Sequence, residues 1–259
     1  MGLLGRLRRH IPNRQRRREL LAPLRFGTFG AFVNRPRSAW IVQARPDFDH
    51  DHDKFPEFAE YKRLWTHGNE ANNGGDMTRL YLFVMNVRRV VEEGIPGDFA
   101  ELGVYKGNSA AILQRIAAAA GRRVFLFDTF AGFDPREVRD ASAGVANAFR
   151  DTSLAAVRQF VGTDGVVYVP GFFPESLASA PPMDKFAIVH IDCDLGPPMA
   201  AALEHFYPRV SPGGLFLLHD YSSGHWRALH DAVDAFLADK PERLVLMPDK
   251  SGTAVLRKS

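Results

Sequence analysis

A chain of 259 residues, 46% hydrophobic, 24% charged and 11% aromatic, suits one large globular domain with attachments and is too short for two full domains. That balance excludes a disordered, collagen-like or coiled-coil chain, and no run of about 18 apolar residues is present to cross a bilayer. The net charge of +3 is local in origin: residues 1–25 hold eight Arg and one Glu, a balance of +7, and the remainder stands at −4.

The N-terminal third shows little periodicity. Residues 1–75 read as an irregular basic arm followed by a lid or oligomerisation segment, broken by Pro12, Pro23, Pro36, Pro46 and Pro56. The arm is expected to be a solvated or partner-packed tail. Its other reading is a peripheral contact with an anionic membrane, since Met1 to Leu7 is briefly amphipathic; no nucleic-acid partner is expected. The stretch Asp47 to Asp53 (DFDHDHD) is a run of consecutive ligands without a spaced partner and reads as a solvated loop rather than a metal site. The single cysteine, Cys193, forbids an intrachain disulfide and fits a reducing, cytoplasmic setting.

From Asp76 onward the pattern tightens into a second region, 76–259. Asp76 is placed to cap a helix with Leu80, Val84, Val87 and Val91 on its apolar face, ending at Gly94. Phe99 to Gly103 is a strand, Asn108 to Ala120 a helix, and Val124 to Asp128 a second strand. Val166 to Val169, Phe186 to Ile191 and Leu215 to Leu218 follow as strands three to five. These runs are apolar throughout, as parallel strands covered on both faces require. A helix face of Trp226, Leu229, Val233, Phe236 and Leu237 precedes two short strands, Arg243 to Met247 and Thr253 to Arg257. The expected fold is α/β: a doubly wound, mostly parallel seven-stranded sheet closed by an antiparallel C-terminal hairpin.

In such a sheet ligands sit outside the carboxyl ends of the strands. The first strand runs into Glu101-Leu-Gly103-Val-Tyr105-Lys-Gly107-Asn-Ser109, a GxxxG turn rather than the GxGxxG of a pyrophosphate cradle, with an acid that favours a cationic ligand. Asp128 ends the second strand, placed to accept ribose hydroxyls, followed by Thr129 and by Phe130, placed to cover the adenine. Together the two turns indicate a nucleoside without pyrophosphate.

ELGVYKGNS followed by VFLFDTF resembles class I S-adenosylmethionine-dependent methyltransferases. The longer series GIPGDFAELGVYKGNSA, FDTFAGF, GFFPESL, IVHIDCDLGPPMAAALEHFYPRVSPGGLFLLHDY, AVDAF and GTAVLRK resembles the macrocin O-methyltransferase family of sugar methyltransferases, over roughly residues 76–258. The resemblance implies a Rossmann-like methyltransferase that uses S-adenosyl-L-methionine on a sugar or glycan hydroxyl, and a homo-oligomer. It implies that Glu101, Gly103, Tyr105 and Ser109 surround the methionine and ribose, that Asp128 and Thr129 hold the ribose, and that Gly171 and Phe172 flank the adenine. Met77 and Thr78, with Arg79, then lie near the sulfonium, beside Asp192.

In that family a strand-end Asp and two adjacent acids bind magnesium. Here the second motif reads His219-Asp220, so the implied divalent site is Asp192, His219 and Asp220, a mixed set that also suits manganese or iron. A metal-free reading makes Asp192, His219 or His225 the base, while Asp194 orients the loop and His190 satisfies a strand end. Residues 131–150, which cover the acceptor in this fold, contain no histidine. A nicotinamide oxidoreductase and a non-catalytic cofactor-binding scaffold are the rival classes.

Overall fold

The computed structural model describes residues 31–34, 41–44, 57–74, 76–138 and 143–259; the Arg-rich arm and the Asp47 to Asp53 stretch lie outside them. The chain divides into two compact units, Met1–Glu60 and Tyr61–Ser259. In the first, β1 (Ala31–Asn34) and β2 (Ile41–Ala44) pair antiparallel, Ala31 opposite Ala44.

The second unit begins earlier than the hydrophobic pattern suggests. Two elements stand where the sequence reads as irregular: α1 (Phe58–Thr66) and α2 (Glu70–Asn73). Tyr61 and Trp65, four apart on one face of α1, are both buried. Trp65 Nε1 donates to the Asn73 carbonyl at 3.1 Å, and Asn73 Nδ2 donates to the Trp65 carbonyl at 2.8 Å. Asn108 extends the tie by donating to the carbonyls of Leu64 and His67. The polar run that looks like a loop is thus ordered by side-chain amides rather than by an apolar stripe.

Helix α3 (Met77–Glu92) starts where its cap predicts, with the Asp76 carboxylate accepting from the Arg79 amide at 3.3 Å. It buries Leu80, Val84 and Val87, with Val90 in place of Val91. The sheet then builds from β3 (Asp98–Leu102), β4 (Val124–Asp128), β5 (Val166–Pro170), β6 (Phe186–Ile191), β7 (Val210–Leu218), β8 (Val245–Leu246) and β9 (Ala254–Arg257). Its spatial order is β5-β4-β3-β6-β7-β9-β8. Neighbours from β5 to β7 run parallel, while β9 lies antiparallel to both β7 and β8. The C-terminal pair therefore does more than close the sheet, because β9 inserts between β7 and β8. Strand β7 is longer than its apolar run, and its N-terminal Ser-Pro-Gly-Gly stretch coincides with a register shift against β6.

Alternation along each strand divides the interior. Ala100 and Leu102, Phe125 and Phe127, Val189 and Ile191, and Phe216 and Leu218 form one core with Met199, Leu203 and Phe206 of α7 (Gly196–Phe206) and Leu229 and Val233 of α8 (Arg227–Leu237). On the opposite parity Glu101 meets Ser109 of α4 (Asn108–Ala119), and His190 meets Phe83 of α3. Between β4 and β5 lie α5 (Ala143–Ala146) and α6 (Leu154–Val161). Strand order reverses between β3 and β6, so a crevice opens at their carboxyl ends.

Gly103 sets how tightly that crevice is built. It holds φ +86, and a methyl group there would overlap the Asp192 carbonyl. Gly103→Ala should lower stability by roughly 2–5 kcal/mol, from left-handed strain plus overpacking. Urea unfolding reads this directly; an unchanged midpoint would contradict the close approach.

Candidate active site

A cavity of about 310 Å³ opens at the tips of β3, β4, β6 and β7. Strand register sets its floor, since Leu102 lies level with Phe127 and Ile191, and Ile191 with Leu218. The next residue on each strand, Gly103, Asp128, Asp192 and His219, therefore reaches the cavity at one height, and all four line it. Four non-glycine residues in its wall, Tyr105, Phe149, Asp194 and Asp220, hold left-handed backbone, with φ of 49°, 59°, 61° and 60°. Each costs about 1–3 kcal/mol, strain that the surrounding packing must hold in place.

Asp128 is the most fully engaged carboxylate. Its Oδ2 accepts from the amides of Val104 at 2.6 Å and Tyr105 at 2.9 Å, and its Oδ1 from the Phe130 amide at 2.6 Å. Burial pushes its pKa up and the three amides push it down, with a net rise. It locks the β3–α4 turn as well as facing the cavity. Thr129, Gly171 and Phe172 line the same end, and the Arg136 guanidinium stacks 4.2 Å from the Phe172 ring.

At the other end an ionic cluster forms around Asp192. Arg79 Nη2 donates to Asp192 Oδ2 at 2.5 Å, and His219 Nδ1 lies 2.6 Å from Asp192 Oδ1 and 3.0 Å from Asp220 Oδ2. The His219 contacts lack hydrogen-bond alignment, so both buried ring nitrogens are without a directed partner. Burial pushes the Asp192 carboxyl up, but His219 and Arg79 outweigh it and hold the group well below the usual carboxylate range. Burial and Arg79 push the His219 imidazolium down, yet Asp192 and Asp220 carry its pKa up to about 10. Asp194 is driven well up by burial, then by Asp192 and Asp220. One oxygen or nitrogen from each of Asp192, His219 and Asp220 lies within 4.8 Å of the others, the spacing of a cation site.

The structure brings together Gly103, Tyr105, Ser109, Asp128, Thr129, Gly171, Phe172, Asp192, His219 and Asp220 in one cavity wall. Met77, Thr78, Glu101 and His225 are not among the lining residues. Met77 and Thr78 are buried in the first turn of α3. Glu101 is fully buried beneath the floor, its Oε1 accepting from Ser109 Oγ at 2.5 Å and lying 2.7 Å from His190 Nδ1. His190 lies in turn 3.4 Å from Arg79 Nη2. A carboxylate that reads as a cofactor contact thus sits in the layer that supports Arg79. His225 is exposed on the β7–α8 loop. Trp226 lines the cavity and also packs against the core, whereas Tyr221 is a core residue whose hydroxyl donates to Asp234 at 2.5 Å.

Trp65 and Glu137 also line the wall with no motif to mark them, beside Arg79, which the resemblance places near the sulfonium. The Arg79 guanidinium lies 5.1 Å over the Trp65 ring, 14 positions earlier in the chain.

Residues 72–244 match the sequence profile of the macrocin O-methyltransferase (TylF) family. The chain belongs to that family. Among its relatives, a tetracenomycin-C rhamnosyl 4'-O-methyltransferase of Streptomyces olivaceus is 32% identical over 160 residues, 56% of this chain and 61% of that one. Mycinamicin III 3''-O-methyltransferase of Micromonospora griseorubida is 31% identical over 175 residues, 61% of this chain and 68% of that one. This macrocin O-methyltransferase family member thus spans less than two thirds of the first of these relatives. The solved O-methyltransferase NovP superposes with a TM-score of 0.62 at 29% identity, covering 70% of this chain and 80% of that one. The calicheamicin methyltransferase CalS11, at 20% identity and a TM-score of 0.60 over 97% and 96% of the two chains, shares the fold. The seven-stranded sheet with its antiparallel C-terminal strands is thus that of class I O-methyltransferases. Among the described residues no helix is long and apolar enough to cross a membrane.

Because the folded pKa of His219 lies above its unfolded value near 6.5, the cluster stabilises the fold fully below about pH 6.5 and loses that contribution as pH rises through about 10. Imidazole NMR of the metal-free protein should show His219 still protonated at about pH 8. A neutral ring there would contradict the geometry.

Proposed function

We propose that the chain is an S-adenosylmethionine-dependent O-methyltransferase acting on a hydroxyl of a sugar or glycosylated natural product. The observation that carries the reading is the row of Gly103, Asp128, Asp192 and His219 at one height around a single cavity, in a chain of this family. Gly103 lets the backbone pass close, and Asp128 with Thr129 faces the nucleoside. Gly171 and Phe172 bound the place for adenine, and the net acidity of the wall attracts a sulfonium cation. The relatives named for O-methylation of glycosylated antibiotics support an acceptor of that class.

The chemistry is an in-line displacement: the acceptor oxygen forms a bond to the methyl carbon as the carbon–sulfur bond breaks and its electrons neutralise the sulfur. The protein's tasks are to orient the two reactants, exclude water and take up one proton. Phe133, Phe149 and Trp226 supply an aromatic rim. Their rings meet edge to face, at 5.3 Å between Phe133 and Phe149 and 6.1 Å between Phe133 and Trp226. Arg79 keeps Asp192 ionised and fixed in direction.

The residues present fit a divalent cation. Two carboxylates and an imidazole with both nitrogens lacking a directed partner are a mixed donor set suited to magnesium, manganese or iron. Asp192, His219 and Asp220 would hold it, and when bound such an ion lowers the pKa of a coordinated hydroxyl.

Labelled S-adenosylmethionine incubated with the acceptors of the relatives and with p-nitrophenyl α-L-rhamnoside should yield a methyl ether, with turnover falling on EDTA treatment. Asp220→Asn should keep S-adenosylhomocysteine affinity while turnover drops at least about tenfold, whereas Asp128→Ala should weaken that affinity at least about tenfold by calorimetry. Absence of any binding of S-adenosylhomocysteine to the unaltered protein would overturn the reading.

A further inference from the structure

A file of polar side chains runs from the sheet interior to the cavity wall. Parallel pairing sets Glu101 of β3 level with His190 of β6, and Arg79 of α3 reaches down to them from the wall. Glu101 and His190 are essentially sealed from solvent, at 0% and 1% exposed. Groups of this kind are costly inside a protein unless their hydrogen bonds are made, so the direction of each bond carries information.

The inventory of hydrogens leaves one arrangement. A guanidinium only donates. Arg79 Nη2 gives one N–H to Asp192 Oδ2 at 2.5 Å, and its other faces His190 Nε2 at 3.4 Å. Nε2 is therefore the bare nitrogen of the ring, since a hydrogen there would oppose a hydrogen of Arg79. The ring proton is left on Nδ1, which donates to Glu101 Oε1 at 2.7 Å. That oxygen also accepts from Ser109 Oγ, while Glu101 Oε2 has no hydrogen-bond partner. Glu101 thus sets the tautomer of His190, and the tautomer sets where Arg79 can donate.

Aromatic rings hold the planes of these groups. Phe83 meets the His190 ring edge to face at 5.0 Å, and Trp65 lies 5.1 Å from the Arg79 guanidinium. The consequence falls on Asp192. A carboxylate free to turn about its last bond offers either oxygen, whereas here Oδ2 is taken from behind and Oδ1 is left toward His219, at 2.6 Å.

We propose that Glu101 and His190 are positioning residues for the methyl transfer: through the Nδ1–H tautomer of His190 they aim Arg79 at Asp192 and so fix which carboxylate oxygen faces the reacting end of the cavity. This rests on the methyltransferase reading above. Neither residue touches the reactants. Their effect is on orientation, which governs turnover more than the binding of a cofactor lodged mainly over β3 and β4.

Two measurements test it. Imidazole nitrogen NMR of the metal-free unaltered protein at about pH 8 should show His190 with its proton on Nδ1 and a bare Nε2, the signal being assigned by its loss in His190→Gln. A proton on Nε2 would overturn the assignment, and this reading needs no stable variant beyond the one that assigns the signal. The second compares the unaltered protein with His190→Phe and His190→Gln, using labelled S-adenosylmethionine and the acceptor panel above. Phe keeps a ring against Phe83 but neither polar end; Gln can keep an amide N–H toward Glu101 and a carbonyl toward Arg79. His190→Phe should bind S-adenosylhomocysteine and keep the KM for S-adenosylmethionine within about twofold while kcat falls roughly 10–100-fold, and His190→Gln should recover most of that loss. Unchanged kcat in His190→Phe, or equal loss in both variants, would overturn the positioning role while leaving the methyltransferase reading standing. No turnover by the unaltered protein on any acceptor, despite binding S-adenosylhomocysteine, would remove both.

Discussion

Carboxylates of like sign packed into one half-enclosed cavity repel each other strongly. Asp192, Asp194 and Asp220 converge from the tips of β6 and β7, where an effective dielectric near 20 makes each unit-charge repulsion worth about 4 kcal/mol at 4 Å. The fold answers with internal cations. Arg79 on Asp192 and an imidazolium at His219 between Asp192 and Asp220 supply opposite charge, while burial, then Asp192 and Asp220, push the Asp194 pKa well up. The support for Arg79 comes from below: Trp65 beneath its guanidinium, and Glu101 and His190 behind it. What remains is a cavity biased toward one further positive charge, which a sulfonium or a divalent ion can satisfy.

The same constraint accounts for the backbone. Strand ends of equal height bring the functional side chains together only if the connecting turns are sharp. Gly103 meets the Asp192 carbonyl, and Tyr105, Asp194 and Asp220 adopt left-handed conformations that a relaxed chain avoids. The apolar core under them, from Ala100 and Leu102 across to Phe216 and Leu218, is insensitive to such detail and supplies the stability against which the strain is held.

How much of this was legible in the sequence follows from the kind of signal each element leaves. Strand β6 reads to its ends because six consecutive apolar or buried residues have no other use, and α3 reads from its cap because Asp76 and the apolar stripe agree. The acids Asp128 and Asp192 at the tips of β4 and β6 were legible because sheet geometry puts ligand contacts there. Elements organised by polar side chains did not read: α1 and α2 are fixed by Trp65, Asn73 and Asn108, and Ser-Pro-Gly-Gly opens β7 although it looks like a turn. Within the site, partnership was the hidden variable. Nothing local shows that Arg79 pairs with Asp192 or that Glu101 is held beside His190. Each is decided by residues tens of positions away. His225 shows the converse, a chemically suitable side chain that the loop leaves outside the wall.

The central claim is that the row at the sheet tips receives a sulfur nucleoside. A crystal structure of the protein soaked with S-adenosylhomocysteine tests it most directly. The account predicts the ribose against Asp128, the adenine beside Gly171 and Phe172, and the sulfur directed toward Asp192. Density for the nucleoside elsewhere, or a cavity still empty at saturating ligand, would contradict it.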